Sequence, residues 1–274
     1  MIKTIQVTDM HLVKPGETFF ELDPLARFSA AVDDINRCHA DARLCVLTGD
    51  LVEDHDAATY KALRATVSRL SMPVRAIPGN HDRRDLLVAT LDQAEQDEHG
   101  FMQSALQTEE GVFLFLDTVD AGAHSGVYCD RRIDWLRAQL DRAQGAPIRI
   151  FMHHPPFAIG LRHLDGYAMV DGDGFGQVLD AYDVRHIFFG HVHRAVSGSW
   201  RGISFSGLPS TNHQCLLDLS DNVSGVCTLE PPAYGIVLID GDRTVVHTHQ
   251  YLDRSPRYAY FPGENGEEQI RRLE

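Results

Sequence analysis

No stretch of the 274-residue chain approaches the ~20 consecutive apolar residues that a membrane-spanning helix needs. The amino end, Met1-Ile2-Lys3-Thr4-Ile5-Gln6-Val7, has no basic region followed by an apolar one, so it does not read as a signal peptide. Positive charge is scarce: 25 Lys and Arg face 39 Asp and Glu, a formal net charge of −14. That balance argues against a nucleic-acid polymer or an anionic membrane as partner. A small anionic substrate stays open if local cations overcome the field. Five cysteines (38, 45, 129, 215 and 227) make no Cys-x-x-Cys and no zinc-ribbon spacing. Reduced thiols in a cytoplasmic protein are the expectation. Cys215 and Cys227 could pair only if a hairpin brings them together.

What is present is an ordinary globular composition, 43% apolar and 23% charged, with ample material for a core. Short apolar strands alternate with amphipathic helices in the first half. Strands are expected over Lys3–Thr8, Leu44–Leu47, Val74–Ile77, Gly111–Leu116, Ile148–Met152 and Ile187–Phe189. Helices are expected after the caps Asp23-Pro24, Asp56 and Asp130, near Asp85–Leu91, and over Phe175–Tyr182. Phe28 and Trp135 fall on the buried faces of theirs. The glycine-bearing segment Phe157–Gly174 reads as a long loop, a rim or lid. Two hairpins follow, Ala195–Ser199 with Ile203–Ser206 and Tyr234–Ile239 with Thr244–Gln250, and then a polar tail over Gly263–Glu274 that is frayed or used in assembly. The pattern is that of a layered α/β fold.

The strand ends carry the chemistry. Asp9 and His11 follow the first strand, Asp50 the second, Asn80 and His81 the third, His153 the fifth, and His191 and His193 the sixth. Open α/β sheets bind ligands beyond the carboxyl ends of their strands, where these loops meet. Residues two apart in extended backbone share a face, so His191 and His193 can converge. Two carboxylates, one amide and four imidazoles, with no thiolate, suit Mn, Fe or Zn. Seven donors exceed one tetrahedral ion and fit two ions sharing a carboxylate, for which Asp50 is placed centrally. Such a pair, roughly 3.5–4 Å apart, holds a hydroxide and clamps a phosphoryl group.

The blocks Asp9-x-His11, Gly49-Asp50, Gly79-Asn80-His81-Asp82, His153-His154 and Gly190-His191-x-His193, in this order, resemble the calcineurin-like metallophosphoesterases. His153-His154-Pro155-Pro156 and Thr211-Asn212-His213-Gln214 resemble one branch more closely, that of class III cyclic-nucleotide phosphodiesterases and related bacterial glycerophosphodiesterases. Glu53 departs from the Asp or Asn often found there. The resemblance implies a four-layer α/β sandwich, two facing mixed sheets flanked by helices. It implies one metal on Asp9, His11, Asp50 and His193 and another on Asp50, Asn80, His153 and His191. It makes His81 the group that assists the leaving alkoxide, with Asp82 orienting its ring. Substrate contacts would come from Asn80, His81 and His193. His154 is expected to pack behind the metals, and His213 is either a pocket residue or an ordinary loop histidine. Arg83, Arg162 and Arg194 are expected on the surface.

The resemblance implies a phosphodiester hydrolase acting on 3′,5′-cyclic nucleotides or glycerophosphodiesters. A phosphomonoesterase or nuclease of the same superfamily, or a metal-binding scaffold without activity, are the competing readings. The chain divides into a catalytic core, 1–206, and an extension, 207–274, that completes the sandwich. A homo-oligomer is expected from the resemblance, Pro231-Pro232, and the aromatic residues Tyr251, Tyr258, Tyr260 and Phe261.

Overall fold

The computed structural model describes residues 1–221, 223–262 and 268–273. In chain order the first half runs β1 (Ile2–Val7), α1 (Pro24–Cys38), β2 (Leu44–Thr48), α2 (Ala57–Val67), β3 (Val74–Ile77), α3 (Arg84–Thr90), β4 (Ser104–Thr108), β5 (Gly111–Phe115), α4 (Asp130–Arg142) and β6 (Ile148–Met152). The second half runs α5 (Arg162–Asp165), α6 (Gly172–Leu179), β7 (Val184–Phe189), β8 (Val196–Trp200), β9 (Ile203–Gly207), β10 (Gln214–Cys215), β11 (Cys227–Thr228), β12 (Tyr234–Asp240), β13 (Arg243–His249), β14 (Arg257–Pro262) and β15 (Glu268–Leu273).

One sheet has the order β13-β12-β1-β2-β3 and the other β4-β5-β6-β7-β9-β8. Strands β1, β2 and β3 are parallel, as are β5, β6, β7 and β9. Between the sheets lies an apolar layer that includes Val46, Ile77, Phe115, Phe151 and Phe188, with the Phe151 and Phe188 rings stacked 4.6 Å apart. Helices α1 and α2 cover the outer face of the first sheet, α4 and α6 that of the second. Burial on both faces explains why the central strands read as unbroken apolar runs rather than alternating ones. The result is the four-layer α/β sandwich.

Caps act largely as the sequence suggests. Asp23 accepts from Ala26 N and Asp56 from Ala58 N, while Pro24 opens α1. Asp130 differs: Cys129 is the capping residue, and Asp130 is the first helical position, where its charge favours the helix N-terminus without a side-chain cap. The segment expected as loop over 157–174 contains α5, and α6 begins at Gly172, three residues before the expected start. Chain proximity explains the glycine there, because a Cβ at Gly172 would lie 1.7 Å from the Pro156 carbonyl oxygen. Strands β4, β10, β11, β14 and β15 were not expected. Of the tail, 268–273 is strand, and 263–267 and 274 lie outside the described residues. Cys215 and Cys227 are direct cross-strand partners, yet both are free thiols. Arg83 and Arg162 are exposed; Arg194 is half-buried, where it donates to Cys215 O at 3.0 Å and pairs with Glu230. Among the described residues no helix is long and apolar enough to cross a membrane.

The two sheets are pinned together where the parallel strands end. Buried Gln6 on β1 donates to Thr48 Oγ1 (3.1 Å) and to Phe189 O (3.2 Å), joining β1, β2 and β7. Gly190 follows β7 with its Cα against the other sheet. A Cβ there would sit 2.1 Å from Thr8 Oγ1 and 2.9 Å from Thr48 O. Gly190→Ala is therefore expected to lose about 1–3 kcal/mol in urea unfolding, the cost of forcing a methyl into a packed site; an unchanged midpoint would refute this packing argument.

Candidate metal centre

The loops that leave β1, β2, β3, β6 and β7 gather at one edge of the sandwich. Beyond the sheet the first two run side by side, with Asp9 N donating to Gly49 O and His11 N to Asp50 O, both at 3.0 Å. Asp9, His11, Asp50, His191 and His193 all have positive φ, between 46° and 68°. Left-handed backbone is strained for residues with a Cβ and persists where surrounding structure enforces it, often at functional sites. This corrects the extended-strand expectation: His191 and His193 stand beyond β7 and serve two adjoining clusters rather than one point.

The first cluster is Asp9, His11, Asp50 and His193, whose donor atoms all lie within 4.8 Å of one another. Asp9 Oδ1 is 3.4 Å from His193 Nε2, and Asp50 Oδ2 is 3.7 Å from His11 Nε2. The second holds His153, Asn80 and His191: Asn80 Oδ1 is 3.2 Å from His153 Nε2 and 3.0 Å from His191 Nδ1. Asp50 joins the two, since its Oδ2 is also 3.3 Å from His153 Nε2.

Second contacts fix the tautomers. His11 Nδ1 donates to Glu53 Oε2 (2.8 Å), His153 Nδ1 to Thr48 O (2.8 Å) and His193 Nδ1 to His213 O (3.0 Å). Each partner is an acceptor, so each Nδ1 carries a proton and Nε2 is the nitrogen turned to the site. His11 Nε2 and His193 Nε2 then face each other at 3.1 Å. Two buried lone pairs at that distance repel unless something positive lies between them, and buried carboxylates beside them have the same need. The donor set therefore fits cations bound through N and O.

Burial lowers the pKa values of His11, His154, His191 and His213, which keeps these rings neutral at pH 7. For His153 burial also acts downward, but the charges of Asp50 and Asp9 and the Asp50 hydrogen bond outweigh it and raise the value to about 9. In the metal-free chain a proton thus sits between His153 and Asp50. A metal needs the neutral ring, so ion uptake at pH 7–8 should release that proton, and affinity should rise with pH up to about 9. Calorimetric titration with Mn²⁺ in buffers of different ionisation enthalpy measures the release; a buffer-independent heat would overturn the assignment.

His154 has a ring nitrogen within 4.8 Å of donor atoms of His153 and His191, but its hydrogen bonds turn it away from a ligand's role. Its Nδ1 is 2.7 Å from Thr118 Oγ1 and its Nε2 3.1 Å from His124 O, so both nitrogens are engaged. His213 is a wall of the pocket, with its ring 4.5 Å from that of His193. The Asp82 expectation needs correction. Its carboxylate accepts from the backbone N–H groups of Gly79, Leu51 and Val52 at 2.8–3.1 Å and builds the turn under the site. The carboxylate on the His81 ring is Glu53, whose Oε2 is 3.0 Å from His81 Nδ1 as well as 2.8 Å from His11 Nδ1. Sequence reasoning noticed Glu53 only as a departure; its position three residues after Asp50 was the available signal. His124, Phe19, Phe20, Leu164 and Tyr167 also line the cavity of about 310 Å³ over the donors, and no local pattern marks them.

The calcineurin-like phosphoesterase model matches residues 2–195. A probable cyclic nucleotide phosphodiesterase from Rhodopseudomonas palustris is 33% identical over 262 residues, covering 94% of this chain and 96% of that protein. A probable glycerophosphodiester phosphodiesterase from Arcobacter nitrofigilis is 26% identical over 267 residues, covering 96% and 98%. Among solved structures, a dimetal phosphatase from Danio rerio shares the fold with a TM-score of 0.70 at 15% identity, covering 92% of this chain and 97% of its own. Every block of donors falls inside the matched region, and the chain belongs to the calcineurin-like phosphoesterase family.

Proposed function

We propose that the protein is a metal-dependent phosphodiesterase for small diesters, 3′,5′-cyclic nucleotides or glycerophosphodiesters. The observation that carries this reading is the pair of N/O donor clusters, buried apart from Asn80, that Asp50 joins beneath an open cavity. Asp9, His11, Asp50 and His193 would hold one ion, and Asp50, Asn80, His153 and His191 the other, with Fe, Mn or Zn all suited to the donors. Bound there, two cations supply an activated water and neutralise the phosphoryl oxygens.

The chain's own residues do the rest. Burial alone would lower the His81 pKa, but the Glu53 hydrogen bond and the charges of Asp50, Glu53 and Asp82 raise it to about 9. In the metal-free chain His81 is thus an imidazolium at neutral pH, held by Glu53 through Nδ1 and left with Nε2 for the cavity that its ring lines. As the P–O ester bond breaks, that nitrogen gives its proton to the departing oxygen. Asn80, His81, His193 and His213 are the substrate contacts.

Parallel turnover of metal-loaded protein on cyclic AMP, glycerophosphoethanolamine, a phosphomonoester and duplex DNA tests the reading. Diester hydrolysis well above the other two is expected; equal or greater activity on the monoester or on DNA would replace it. Five free cysteines suit a reducing cytoplasm. The segment 207–274 places β12 and β13 in the first sheet and His213 in the cavity. It also exposes Tyr258 and Tyr260, 54% and 69% accessible, for which a second copy of the chain is the proposed cover. Light scattering should then give a mass above 30.6 kDa.

A further inference from the structure

The turn after Phe19 breaks a local rule. Two-residue hairpin turns with positive φ at both central positions draw Asn and Gly, because other side chains strain there. Here the central residues are Phe20 (φ 49°) and Glu21 (φ 63°). Phe19 N donates to Leu22 O at 2.9 Å and Leu22 N to Phe19 O at 3.1 Å, which locks the turn. The turn leaves Phe20 44% exposed. It holds the Phe20 ring 4.6 Å from the His213 ring, which packs 5.1 Å from that of His11. A flat apolar surface thus stands at the rim of the cavity, two rings away from the donor clusters. A sequence that violates local preference to hold an aromatic ring at the rim of a site marks a candidate functional position.

We propose that Phe20, backed by His213, is the stacking platform for a nucleobase, so that the diester is a nucleotide rather than an open-chain glycerol ester. The proposal rests on the phosphodiesterase reading and narrows its substrate class. A planar base covers the exposed ring with its π-face, and any of the bases can do so. A glycerol arm has no flat face to lay there. A quaternary ammonium also seeks aromatic rings, but it favours a cage of several around it. Phe19 and His213 pack on the Phe20 ring at 4.4 and 4.6 Å, and Tyr167 and His124 line the same cavity, so phosphocholine is the ligand that separates a cage from a base platform.

Equilibrium binding separates the platform from catalysis. Full-length, Mn-loaded wild type, Phe20→Gly and Phe20→Trp are titrated calorimetrically with 5′-AMP, glycerol 3-phosphate and phosphocholine. Wild type should bind AMP at least about tenfold more tightly than glycerol 3-phosphate, as one base stack predicts. Phe20→Gly should lose that advantage without weakening glycerol 3-phosphate, and Phe20→Trp should keep it. An AMP advantage that is absent in wild type, or that survives in Phe20→Gly, overturns the platform, and so does a phosphocholine advantage of the same size. Failure of diester turnover would instead remove the phosphodiesterase reading, because the binding result does not depend on hydrolysis.

Discussion

Asp50→Asn should cost at least about 100-fold in kcat, since losing even outer support of a metal site commonly costs 10–100-fold. Metal content should fall from about two ions per chain toward one. Asp50 is the carboxylate that reaches both clusters, with Oδ2 3.3 Å from His153 Nε2 and 3.7 Å from His11 Nε2. Burial acts to raise its pKa, but the facing histidines, His153 first, outweigh that and hold it well below the usual carboxylate range. It therefore meets the ions as an anion. Asn keeps the shape and the acceptor for the His81 N–H, now 2.9 Å from Oδ1. It also tolerates the left-handed φ of 50° at this position. A fold change can thus be separated from a charge change by circular dichroism of the metal-free proteins. Wild-type metal content in Asp50→Asn would refute its place between the clusters.

How much of this was legible follows from what is local. Val46, Phe151 and Phe188 lie between two sheets, so their strands are apolar on both faces and easy to find. Each such strand ends where an apolar run meets Asp, Asn or His, and parallel order then puts those ends at one edge. What sequence could not give is the partner of a strand. Tyr234–Asp240 pairs antiparallel with β1, some 230 residues earlier by their numbers, and nothing in either segment names the other. Strand β4, Ser-Ala-Leu-Gln-Thr, is only half-buried along the sheet edge and has a weak pattern. The αL geometry of the donors was equally hidden, because it is imposed by the packing of loops such as Asp9 N on Gly49 O. Asp82 misled for a related reason: adjacency to His81 suggested ring support, whereas its carboxylate turns back to three backbone amides.

His81→Ala is expected to lower kcat by about 10²–10⁴ on diesters with alkoxide leaving groups, the usual range for a positioned acid. On a bis(p-nitrophenyl) diester the loss should be far smaller, because p-nitrophenolate departs without a proton. Metal content should not change, since the donors contacted near His81 are reached by its backbone: His81 N holds Asp50 Oδ1. Glu53→Gln sharpens the assignment. It keeps the volume but removes the charge shared by His81 Nδ1 and His11 Nδ1, at 3.0 and 2.8 Å. Its loss should follow the same leaving-group dependence, be smaller than that of His81→Ala, and vanish when His81 is already Ala. Equal losses on both kinds of diester would show that Glu53 acts through His11 and the metals instead. A full loss in His81→Ala on p-nitrophenyl esters would remove His81 from proton transfer altogether and leave it a phosphate contact.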